Sequence, residues 1–79
     1  MSPTVFKEKG YRFFFFSREE IRMHVHVSSS NGEAKFWLEP IIALAQHANL
    51  SQKELKEIEN IVKEKSSEIK KAWQRHFKI

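Results

Sequence analysis

The chain has 79 residues and no cysteine, which excludes a disulfide framework and a thiolate zinc site. Its formal charge is +4, a basic excess that permits a nucleic-acid contact without requiring one. There is no run of about 18 apolar residues and no basic start followed by a long apolar stretch, so no membrane contact is expected and the expected setting is cytoplasmic.

A single domain over residues 1–79 is expected, and in so short a chain seven Phe and two Trp point to apolar surface beyond one minimal core. Thr4 to Glu8 reads as a first strand, Lys9-Gly10 as a tight turn, and Tyr11 to Ser17 as a second strand. With Lys9-Gly10 at the turn centre, Val5 opposes Phe14 and Phe6 opposes Phe13. Phe13 to Phe16 then place two rings on each face of the sheet. Helices can cover one of these faces; the other needs a loop, the first helix or a second subunit, and a homo-oligomer is the expectation.

Arg18 to Arg22 reads as a charged connection. Met23 to Ser28 and Ala34 to Glu39 alternate as two further strands around Asn31-Gly32, the strongest short-range hairpin signal. A two-residue turn there sets Val27 against Phe36, Val25 against Leu38, His26 against Trp37 and His24 against Glu39. Val25, Val27, Phe36 and Leu38 share one apolar face; His24, His26, Lys35 and Trp37 share the other.

Pro40 is expected to open a short helix to about His47, with Asn49 as its left-handed stop. Ser51-Gln52-Lys53-Glu54 is a capping box, and one long helix follows to about Phe77. Its apolar stripe runs through Leu55, Ile58, Val62, Ile69, Ala72, Trp73 and His76, interrupted at Lys65 and Ser66. The predicted fold class is α+β: a four-stranded, mostly antiparallel sheet of two hairpins, then a short and a long C-terminal helix packed on one face.

The histidine-bearing face is where side chains with chemistry converge. His24 and His26 are the candidate acid–base pair, because imidazole titrates near neutral pH. Arg12, Arg22, Lys35 and Trp37 are the candidate binding residues, able to contact phosphate and stack a base. A metal site needs a third ligand, which the predicted register offers only through Glu39, so neither a metal nor another cofactor is expected. Two imidazoles on an outward face also predict that both can be replaced by alanine with little loss of stability.

Pro3-Thr4-Val5-Phe6, Gly10-Tyr11-Arg12-Phe13-Phe14-Phe15, His24-Val25-His26-Val27 and Glu33-Ala34-Lys35-Phe36-Trp37-Leu38 with Pro40 together resemble the small bacterial domain-of-unknown-function family 4160. Leu55, Glu57, Ile58, Ile61-Val62, Trp73 and Phe77 extend the resemblance through the last helix. Members of that family commonly carry prolines and a longer acidic loop before the first histidine, where this chain has Ile21-Arg22-Met23. The resemblance implies a toxin-like component of a two-gene toxin–antitoxin-type module, acting on RNA or another cellular target and neutralised by a small protein partner encoded nearby. Two alternatives stand beside it: a non-catalytic protein- or DNA-binding regulatory module, and a phosphate- or metal-using enzyme dependent on His24 and His26.

Overall fold

A computed structural model describes residues 4–16 and 22–77 of the chain. Five strands form one sheet in sequence order: β1 (Thr4–Glu8), β2 (Tyr11–Phe14), β3 (His24–Ser28), β4 (Glu33–Trp37) and β5 (Ala43–Ala48). Every neighbouring pair is antiparallel, so the sheet is a simple meander. Two consecutive helices follow, α1 (Gln52–Glu64) and α2 (Ser66–Phe77). Ser17 and most of the predicted charged connection, residues 18–21, lie outside the described residues.

Lys9 and Gly10 both have positive φ, 53° and 83°, the backbone that a two-residue turn matched to strand twist requires. Phe6 opposes Phe13 as the turn predicts, and their rings stack at 4.5 Å. Beyond them a bulge slips the pairing, so Thr4 rather than Val5 opposes Phe14.

The second hairpin turns differently from its prediction. Ser28 pairs with Glu33, leaving a four-residue loop from Ser29 to Gly32. The Ser29 amide donates to the Gly32 carbonyl at 2.9 Å, and its hydroxyl accepts from the Asn31 and Gly32 amides at 3.2 Å each. Neither Asn31 nor Gly32 adopts positive φ. A serine that binds its own loop thus displaces the tight Asn-Gly turn. The register moves by two residues: His24 opposes Trp37, His26 opposes Lys35 and Val25 opposes Phe36. Two is one pleat repeat, so both faces keep their predicted residues.

The expected sheet of four strands has a fifth, and the expected short helix over 40–47 is that strand. The chain passes the cis Glu39–Pro40 peptide and returns as β5 along β4. Ala, Leu and Gln favour helix, but so short a helix gains little in water. Pairing with β4 instead covers an edge that carries Ala34 and Phe36. Asn49 does take left-handed φ, at 58°, but as the link from β5 to α1 and not as a helix stop.

The single long helix is also corrected: the chain turns at Lys65, whose backbone leaves helical geometry at φ −99° and ψ 12°. That point coincides with the gap in the apolar stripe. Leu55, Ile58, Ile61 and Val62 bury one side of α1; Ile69 and Trp73 bury one side of α2. His76, predicted at the end of the stripe, is exposed. The capping box forms as expected, with the Glu54 amide donating to Ser51 Oγ at 3.1 Å and the Ser51 amide to Glu54 Oε1 at 2.8 Å. These bonds, backbone first, hold the Glu54 carboxyl below its ordinary pKa.

Both helices cover the face bearing Phe13, Val25, Val27 and Phe36. The Tyr11 hydroxyl donates to Glu57 Oε1 at 2.8 Å, tying β2 to α1. Burial, then that hydrogen bond and the Glu57 charge, raises the phenol from 10.0 to about 12. The folded state therefore binds the phenolic proton more tightly than the unfolded chain. The resulting stabilisation is complete below pH 10 and is lost as pH rises towards about 12. Thermal melting across that range should show the decline, and Tyr11→Phe should flatten it.

Candidate functional site on the open sheet face

The second face of the sheet meets a helix at His24, whose ring lies 5.1 Å from Trp73 of α2. Period-two alternation places Arg12 and Phe14 of β2, His26 and Ser28 of β3, Glu33, Lys35 and Trp37 of β4, and Gln46 of β5 on this side. Cross-strand pairing aligns Phe14, His26, Lys35 and Gln46 in one row across four strands. Arg12, Ser28, Glu33 and Ala48 form the next row.

Each candidate cation lies over an aromatic ring. The Arg12 guanidinium is 4.5 Å from the Phe14 ring centre, and its Nε donates to Thr4 Oγ1 at 2.7 Å. Arg22 is 4.1 Å and Lys35 4.4 Å from the Trp37 ring centre. Arg22 Nε also donates to the Glu39 carbonyl at 3.0 Å. Ring contacts of this kind restrict long basic side chains before any ligand arrives. Two cations thus sit on the one Trp37 ring.

The histidines have unlike environments. His26 is half-buried, with Phe16 at 4.3 Å edge-on, Phe14 at 5.6 Å stacked and His24 at 5.0 Å. His24 is fully buried, its ring 5.1 Å from Trp73 and 5.6 Å from Trp37. Its Nδ1 lies 2.8 Å from the Arg22 carbonyl, which can only accept, so Nδ1 carries a proton and donates it to this bond. His24 thus supports the face from beneath, and His26 belongs to the face itself. Glu39 is no longer opposite His24, which removes the one predicted third ligand. Among the described residues no three His, Asp or Glu side chains gather as a metal site.

The aromatic surface left open is smaller than two phenylalanines. Phe13 and Phe15 are in the core, and Phe14 is 7% exposed beneath Arg12, His26 and Phe16. Phe16 is 46% exposed. A trough of about 240 Å³ runs over the cross-strand rows, lined by Phe14, Phe16 and His26 on the side of β2 and β3 and by Glu33, Lys35 and Gln46 on the side of β4 and β5. The part of Phe14 and Phe16 follows from strand parity. Gln46 escapes any sequence reading that makes residues 40–47 a helix.

Together these features define a small α+β protein: an antiparallel meander backed by two helices, with cations and aromatic rings gathered on the sheet face opposite the main core. The chain belongs to the family described as Domain of unknown function (DUF4160), whose model matches residues 10–74. No curated protein and no solved structure shows significant similarity to it. Among the described residues no helix is long and apolar enough to cross a membrane.

Proposed function

We propose that the protein is the toxin-like component of a bacterial two-gene module, that it binds single-stranded RNA on the open sheet face, and that its small protein partner neutralises it by covering that face. The observation that carries this reading is the set of three cations, Arg12, Arg22 and Lys35, each held over an aromatic ring on one sheet surface. Cations held in that way meet phosphates at a lower ordering cost, while Phe16 and His26 offer a ring surface to an unpaired base. A duplex hides its base faces, so this geometry favours an unpaired strand.

Fluorescence anisotropy with labelled pentauridine at low and moderate salt tests the reading. Binding should weaken as salt rises, and Arg22→Ala or Lys35→Ala should each lower affinity and reduce the salt slope by about 1. Expression should arrest growth, co-expression of the neighbouring small protein should relieve the arrest, and the Arg22→Ala/Lys35→Ala double variant should not arrest growth. Absence of RNA binding at low salt, or full arrest by the double variant, would overturn it.

A further inference from the structure

We infer that the trough on the open face holds one RNA base and selects guanine through Glu33 and Gln46, an inference that rests on the RNA reading of the same face. From Phe14 to Gln46 the row crosses three inter-strand gaps, about 14 Å in all. That is room for a nucleotide lying across the strands. A base placed against Phe16 and His26 stacks whatever its identity, since every base has a π-face. Discrimination falls to the polar end of the trough.

There the Glu33 carboxylate, exposed on β4, can only accept hydrogen bonds. Guanine alone among the four bases presents two adjacent N–H donors on its Watson–Crick edge, N1–H and the 2-amino group, matching two carboxylate oxygens. Adenine and cytosine offer one amino group beside a ring-nitrogen acceptor, which would face the carboxylate lone pairs. Uracil's N3–H lies between two carbonyl acceptors, which would do the same. The Gln46 amide supplies a donor for guanine O6, and Lys35, paired across the strands with Gln46, lies where it can meet a phosphate. Glu33 also repels phosphate, so a strand gains nothing at this end unless its base donates.

Four labelled pentaribonucleotides, two uridines on either side of a central G, A, C or U, decide the matter by anisotropy. The guanine pentamer should bind about tenfold more tightly than the others. Glu33→Gln, at an exposed position, should keep the melting temperature, lose the preference, and bind pentauridine at least as well, because a negative charge has left the face. Equal binding of all four pentamers, or an intact preference in Glu33→Gln, would overturn guanine selection while leaving RNA binding standing. Failure of every pentamer to bind would remove the RNA reading and this inference together.

Discussion

Gly32→Ala should destabilise the protein by about 3 kcal/mol or more, enough to leave much of so small a domain unfolded at ordinary temperature. The reason is not backbone freedom, since Gly32 does not have positive φ. A Cβ at this position would run into the backbone carbonyl oxygen of Ala48 and the carbonyl group of Asn49. Both belong to the end of β5 and the left-handed turn into α1, so neither yields as a flexible side chain would. Relief requires β5 to peel away from β4, which also moves Gln46 out of the cross-strand row. Gly10→Ala is the control: Gly10 has φ of 83° but nothing lies within 4 Å of an added Cβ. It should cost only about 1 kcal/mol, the ordinary penalty of left-handed backbone. Urea unfolding of the two variants checks the order, and a Gly32→Ala protein as stable as Gly10→Ala would refute the close-approach argument.

The same glycine shows where sequence reading stops. Asn31-Gly32 correctly marks a chain reversal between two alternating strands. The chemistry that sets its length is Ser29, whose hydroxyl takes both loop amides. Glycine is needed at position 32 by a strand that arrives sixteen residues later, and no local pattern contains that contact. Faces were nevertheless legible, because a slip of two residues preserves parity: Val25, Val27 and Phe36 are buried as predicted. For residues 40–47 the local preference for helix lost to pairing with β4, a long-range gain that is visible only once β4 has an edge to cover. The interruption at Lys65 and Ser66 was visible in the stripe, but its meaning, a change of direction between two helices, depends on the sheet beneath. The cations could be assigned only in kind. Arg12 and Lys35 meet Phe14 and Trp37 as neighbours two residues along one strand face, whereas Arg22 reaches Trp37 from outside the strands, across the end of β4.

His24→Ala and His26→Ala should separate sharply, although the two residues sit on the same strand with the same parity. Alternation alone makes them equivalent and predicts that both are dispensable for stability; burial makes them different. The His24 ring is fully buried and meets Trp73, Trp37 and His26 at 5.1, 5.6 and 5.0 Å. Alanine there leaves a cavity among these rings and strips the Arg22 carbonyl of the Nδ1 donor at 2.8 Å. The expected cost is about 2–4 kcal/mol, in the range of other buried large-to-small replacements. His26 is half-buried on the open face, and its replacement should cost about 1 kcal/mol or less. Binding should follow the opposite order at a temperature where both variants are folded. His26→Ala removes a ring from the trough wall and should weaken pentauridine binding several-fold. His24→Ala should act on binding only as far as Arg22 and Trp37 shift. Chemical denaturation paired with anisotropy on the same preparations measures both. A His24→Ala protein with unaltered stability would show that the imidazole is not the wedge its burial implies.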